Sequence, residues 1–305
     1  MLYLASASPR RRALLEQAGV PFVVVRSDVQ EHFQKGMAPK SVAATLAARK
    51  AWAAPVRPGP GEAVLGADTV VALEGRALGK PADAEEAAAM TGGDIKPIYS
   101  VETKEKKIAI SFDAAWGADK TAGIMDILDQ HNVKATFFLV GFWIDKYPDM
   151  VKTIAQRGYE IGNHSLNHPH MPQLTKEQMT TELKEVNAKL KELTGKEAAL
   201  FRPPFGDYND TLVTTVNELG MHCIQWSVDS LDWKELGVKE MTDRVLKNVK
   251  EGSIVLFHNN SKYILDALPG ILKELQKKYE IVPVGELIYT ENYTVDRQGI
   301  QHKAG

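Results

Sequence analysis

From Lys106 onward the chain alternates short apolar runs with amphipathic stretches, and this alternation restricts the fold more than any other feature. Candidate strands cover residues 107–113, 134–140, 159–162, 199–202, 221–228, 253–257 and 280–284. The clearest helix spans residues 175–194, where Met179, Leu183, Val186, Leu190 and Leu193 recur at four-and-three spacing. Thr175 with Gln178 makes a capping box at its start, and Gly195 supplies the stop. That apolar stripe is far better suited to a core face than to a cofactor groove. Repeated strand–helix units imply a parallel sheet, and this many of them suggest a (β/α) barrel.

The unusual polar residues share one register on this pattern. Asp113 ends the first candidate strand, His164 follows the third, Arg202 ends the next, Asp229 follows the fifth and His258 ends the sixth. Parallel strands bring their C-terminal ends to one face, where barrel enzymes build active sites. Five reactive groups at five such ends are therefore expected to converge in one cleft. His164 and His168 stand four apart, so one helical turn would bring both imidazoles to one side, a spacing used for metal ligands; Pro169 keeps that turn short. Taken singly, each has a plainer reading. The histidines could be solvated, Asp113 a helix cap, Arg202 a surface ion pair and Trp233 a core residue. His131, His170, His222 and His302 fit no pattern and read as structural or solvated.

Composition changes near Thr91–Gly93. The chain has four Lys and seven Arg before this point, against 22 Lys and four Arg after it. The front is also rich in alanine, with runs such as Ala43-Ala44, Ala47-Ala48 and Ala87-Ala88-Ala89. A joining of two unrelated sequences, natural or artificial, explains the change better than local variation. In the front portion, a short apolar strand, Leu2–Ala5, leads into Ser8, Pro9 and Arg10-Arg11-Arg12, where Ser8 can cap a helix with Pro9 at its first position. A helix N-terminus with arginines beside it suits an anion, although an ordinary turn with solvated arginines is the plainer reading. With Val64–Val71 around Asp68 and Leu78-Gly79-Lys80-Pro81, this stretch resembles the Maf family of nucleotide pyrophosphatases. The resemblance implies that Ser8, Arg10 and Arg11 hold phosphates, with Lys50, Asp68 and Lys80 in the same site. It stops about halfway through that fold. Residues 1–91 are therefore expected to be an incomplete fragment without pyrophosphatase activity.

The rest of the chain carries five motifs in order: Ser111-Phe112-Asp113, the His164–His168 pair, Arg202-Pro203-Pro204-Phe205-Gly206, Asp229-Ser230-Leu231-Asp232-Trp233 and Leu256-Phe257-His258. They resemble those of the polysaccharide deacetylases, the NodB-like carbohydrate esterases. The Phe-Asp-Ala-Ala-Trp-Gly form of the first is similar to a subgroup of spore formers acting on cell-wall glycan. The resemblance covers about residues 94–292, within a domain expected over residues 92–305, and implies a distorted (β/α) barrel. It also implies roles. His164 and His168 would bind a divalent metal, with zinc or cobalt suited to imidazole. Asp113 would be the general base, fixed by Arg202, and His258 the general acid, kept protonated by Asp232. Trp233, Leu256 and Pro204 would line the substrate pocket, with Asp229 bracing its loop.

One departure stands out. The family's first motif usually carries a second aspartate as metal ligand, and here Ala114 occupies that position. Two protein ligands remain where catalytic zinc usually has three. Asp113 could serve as ligand instead of base, Asp119 could reach in, or metal binding could be weak or absent.

A net charge of −2 gives no attraction to nucleic acid or anionic lipid, which argues against both as partners. The single cysteine, Cys223, excludes intrachain disulfides and cysteine-based zinc sites. No apolar run approaches the ~20 residues needed to span a membrane. No export signal is legible, so the sequence as written reads as cytoplasmic, while the family it resembles usually works outside the cell. The leading expectation is removal of N-acetyl groups from an amino-sugar polysaccharide. An O-acetyl esterase, a catalytically weak glycan-binding module and a Maf-type pyrophosphatase are the alternatives. Oligomeric state stays open.

Overall fold

A computed structural model describes residues 95–304 without interruption. Before them it describes residues 1–6, 11–12, 15–16, 19–25, 39–59, 61–67, 71–73 and 76–78. The chain divides into two compact units, Met1–Met90 and Thr91–Gly305.

In the first unit, β1 (Leu2–Ala5) pairs in parallel with β2 (Phe22–Val24) and β3 (Ala63–Gly66), giving the order β2-β1-β3. Helix α1 (Pro39–Trp52) follows β2, and β4 (Val71–Leu73) and β5 (Arg76–Leu78) form an antiparallel pair. Leu4, Ala5, Val42 and Leu46 are buried, whereas Val23, Val24 and Leu65 stay exposed. Arg11 donates to Ser6 Oγ at 3.0 Å, and Lys50 sits in the last turn of α1. Ser8, Pro9, Arg10, Asp68 and Lys80 lie outside the described residues, as does the junction at residues 91–93.

The second unit begins with β6 (Ser100–Val101) and β7 (Lys107–Ala114). The strands β8 (Thr136–Leu139), β9 (Glu160–Asn163), β10 (Leu200–Phe201), β11 (His222–Cys223), β12 (Val228–Asp229), β13 (Ile254–His258) and β14 (Glu280–Val282) follow, with helices between most of them. They form one parallel sheet in the order β11-β10-β9-β8-β7-β13-β12, with β14 also on β7. At the end of the chain, β15 (Tyr293–Val295) and β16 (Ile300–Lys303) join β6 in a separate small sheet.

Central strand β7 explains the sheet's stability. Its residues from Ile108 to Ala114 are all buried, as expected where helices cover both faces of a parallel sheet. Ile108, Ile110 and Phe112 pack into the largest apolar cluster, with Phe112 stacked between Phe137 and Phe257 at 5.1 and 5.6 Å. Burying each such side chain contributes about 1.5–3 kcal/mol. The intervening Ser111 and Asp113 instead meet Arg202, so the period-two alternation of the strand separates core from site. The long helix runs over Lys176–Thr194 with Thr175 and Gln178 capping each other reciprocally and Gly195 left-handed at φ 77°, as the sequence implies.

Two expectations change. The strand expected over 221–228 is two strands, β11 and β12, at opposite edges of the sheet. Between them the Gln225 carbonyl accepts from the buried Arg202 side chain (3.1 Å), and Ile98 exchanges backbone bonds with Cys223 and Gln225, so irregular bonds hold this crossing in place of a continuous ladder. The barrel is therefore a curled, open parallel sheet. The first strand also runs one residue past Asp113, which leaves Ala114 fully buried and paired with Leu139.

Candidate active site

The carboxyl ends of β7, β9, β10, β12 and β13 meet around a cleft of about 610 Å³. Asp113, His164, His168, Asp229, Asp232, Trp233, Leu256 and His258 all line it. Arg202 stands behind, fully buried, and Pro204 does not reach the cleft. Phe205 adopts a left-handed conformation (φ 60°) that turns the chain there. Its ring and Pro203 line the wall in place of the buried Pro204.

Strand register sets the main opposition. Asp113 on β7 and His258 on β13 are direct partners across the parallel pair. Arg202 Nη1 donates to Asp113 Oδ1 at 2.8 Å and to Ser111 Oγ at 2.9 Å. Its guanidinium lies 4.1 Å from the Phe138 ring. Burial disfavours the Asp113 carboxylate, but the Arg202 guanidinium, with His258 behind it, outweighs burial and holds its pKa below the usual value. Opposite, Asp232 accepts from both His258 Nδ1 and the His258 backbone N–H, each at 2.7 Å. Burial works against the imidazolium, yet Asp232, then Asp113 and Asp229, raise the His258 pKa above its ordinary value. A carboxyl held ionised thus faces an imidazole held protonated.

The two other histidines are tuned the opposite way. His164 Nδ1 lies 2.7 Å from the Arg202 carbonyl, which only accepts, so Nδ1 carries the proton and Nε2 the lone pair. That Nε2 stands 3.5 Å from Asp113 Oδ2. Burial lowers the pKa of His164 and that of His168, the latter to about 4. Both are neutral near pH 7, with ring centroids 5.0 Å apart. No helical turn joins them. Ser165 and His168 are left-handed (φ 68° and 55°), and Ser165 Oγ accepts from the His168 backbone N–H at 3.0 Å. The pair meets through a doubly kinked loop, so the four-residue spacing works for a different reason than the one expected.

Sequence reasoning missed the groups that hold this loop. Asn163 bonds Ser165 N–H and the Leu183 carbonyl. Glu182 accepts from the backbone N–H of Leu166 and Asn167 at 2.9 and 2.8 Å. Glu182 is a polar residue on a long helix, and no local pattern separates it from its solvated neighbours. Asp229 Oδ1 accepts from Leu231 N–H at 2.8 Å, and burial raises its pKa. Of the unassigned histidines, His170 stacks on Phe205 with centroids 4.3 Å apart and is bonded to Asp207. His131, His222 and His302 bond to Gln276, Tyr293 and the Glu102–Asp296 pair, away from the cleft.

Two neutral imidazoles and a nearby carboxylate oxygen have the donor chemistry of a divalent-metal site, though the count is short. Among the described residues no three His, Cys, Asp or Glu side chains are grouped to enclose an ion. Asp119 is exposed and does not line the cleft, so Asp113 is the carboxylate nearest to His164.

At one mouth of the open parallel barrel, a carboxylate thus faces an imidazolium with a pair of neutral imidazoles beside them, an arrangement suited to hydrolysis. A family model for polysaccharide deacetylase matches residues 100–224, and one for Maf-like protein matches residues 1–92. A peptidoglycan-N-acetylglucosamine deacetylase of Bacillus cereus is 38% identical over 196 residues, covering 62% of this chain and 92% of that protein. The peptidoglycan-N-acetylmuramic acid deacetylase PdaA of Bacillus subtilis is 33% identical over 196 residues, covering 63% and 74%. Among solved structures, a carbohydrate esterase family 4 pseudoenzyme from Bacillus anthracis matches with TM-score 0.62 and 30% identity, over 70% of this chain and 74% of that one. The chain belongs to the polysaccharide deacetylase family, with a Maf-like segment ahead of the deacetylase unit. Membership supports use of a divalent metal. Among the described residues, no helix is long and apolar enough to cross a membrane.

Proposed function

We propose that this protein removes N-acetyl groups from the amino sugars of peptidoglycan or a chitin-like glycan by general acid–base hydrolysis. The observation that carries this is the opposition of Asp113 and His258 across one strand pair, each with its charge state set by a buried partner. Amide hydrolysis needs an activated water and a protonated amine leaving group. Asp113, fixed at Oδ1 by Arg202, keeps Oδ2 free to take a proton from water. His258 Nδ1 is bound to Asp232, so Nε2 delivers the proton to the departing nitrogen. Trp233 and Leu256 flank the sugar face and acetyl methyl, and Asp229 holds the loop that carries Trp233. His164 and His168 would hold the divalent ion, zinc or cobalt. When bound, it lowers the pKa of water and polarises the acetyl carbonyl. A peptidoglycan substrate favours the cell wall as the working location over the cytoplasm.

A second reading, a glycan-binding module with little turnover, has one observation in its favour. Ala114 leaves two imidazoles without the family's usual third donor, and the chain is also similar to a protein described as a pseudoenzyme, a mutant of which has restored activity. Acetate release separates the two. Release from chitooligosaccharide or peptidoglycan, abolished in His258→Ala, supports the enzyme. Sugar binding with no release under any added metal supports the module. The front unit is proposed to have no pyrophosphatase activity of its own.

A further inference from the structure

The cleft is ringed by aromatic residues that the acid–base chemistry does not use. Trp116 is 64% exposed, Phe205 56% and Trp233 56%, and all three line the cleft. Trp233 follows Asp232, the residue that grips His258. On the other side, Trp116 and Phe205 both meet His168 edge-on, with centroids 5.0 and 4.5 Å away. Aromatic rings therefore stand next to both ends of the reacting centre.

Trp116 is the least explained of these. Its indole remains mostly in water while the backbone beside it is fixed from several directions. The Gly117 carbonyl accepts from Trp143 Nε1 at 2.6 Å and from Asn259 Nδ2 at 2.9 Å, and Asn259 also donates to Thr121 Oγ1 at 3.0 Å. Gly117 is left-handed (φ 69°), and a Cβ there would come within 2.4 Å of the Asn260 side chain. Trp116 is not isolated: it packs against Phe142 at 6.2 Å and shares the cleft wall with Phe205 across His168, so the exposed rings form one continuous apolar surface, the kind that marks a binding site. Aromatic side chains give rigid contact area at low entropy cost, and the apolar face of a pyranose ring is a natural match. The surface is continuous with the reacting centre, which argues for the substrate's own chain as the occupant.

We infer that Trp116 is a specificity-determining platform for a sugar ring next to the one being deacetylated, on the His168 side, and that it contributes to the site's discrimination between a longer chain and a single acetylated sugar. This rests on the deacetylase reading. The test compares N-acetylglucosamine with its pentamer for the wild type, Trp116→Ala and Trp116→Phe. The ratio of kcat/KM for pentamer to that for monomer is expected to fall about tenfold in Trp116→Ala, the order of one lost aromatic contact, chiefly through KM. Trp116→Phe should restore most of it. An unchanged ratio overturns the inference even if overall activity drops, because a structural role would weaken both substrates alike. If the wild type releases no acetate, the deacetylase reading fails separately. The ratio is then read from calorimetric Kd values, where a tenfold fall supports the platform; an unchanged ratio, or no pentamer binding by the wild type, overturns it.

Discussion

Asp232 holds His258 at two points, accepting from its ring Nδ1 and from its backbone N–H at 2.7 Å each. The double grip fixes the ring's direction and its protonation together. Removing the negative charge removes the largest influence raising the His258 pKa, while the burial that opposes it remains. In Asp232→Asn the pKa of His258 therefore falls. The alkaline limb of the kcat/KM profile should move to lower pH, and activity near neutrality should drop by about 10²–10⁴-fold, the usual worth of a positioned acid. A pH–rate profile reads this directly; an unmoved limb would separate Asp232 from the acid.

The buried Arg202–Asp113 pair couples the site to stability. The Asp113 pKa is depressed on folding, so its contribution is fully present above the unfolded value and is lost as pH falls through the folded one. Replacing Arg202 with Met leaves a buried carboxylate without its main partner, which costs about 3–5 kcal/mol. Urea denaturation at pH 7 should show that loss. A stability equal to wild type would mean the pair does not form.

By the resemblance of the first motif, Ala114→Asp would restore the carboxylate that the family carries as a third donor. Metal affinity and acetate release should each rise tenfold or more by the order of magnitude usual for metal-site residues. The metal-free protein should lose stability, because a charge enters a position now fully buried. Competition with a chromophoric chelator measures the first and thermal unfolding in chelator the second. Unchanged affinity would show that position 114 does not face the imidazoles.

Pyrophosphate release from nucleoside triphosphates by the full chain should be at background. A signal abolished by Asp68→Asn would show instead that the front unit is active.

Much of this arrangement is legible in the sequence, because strand ends are legible. Asp113, His164, Arg202, Asp229 and His258 terminate or follow apolar runs, and a parallel sheet brings such positions together without further information. The helix ending at Gly195 is marked by its own caps. What escapes notice depends on tertiary contact. The segment 221–228 has the composition of one strand, but Arg202 bonds the Gln225 carbonyl in its middle and the two ends join different edges. Pro203 and Phe205 line the wall expected for Pro204, because Phe205 turns left-handed. Glu182 supports the histidine loop from 16 residues away along the chain, and nothing near it in sequence says so.

The most direct test of the whole reading is acetate release from chitooligosaccharide and from peptidoglycan, run with added zinc and with cobalt, on wild type and His258→Ala. Release by the wild type and its loss in the variant, with both proteins folded alike, is the predicted result. No release by the wild type with either metal, or equal release by the variant, would contradict it.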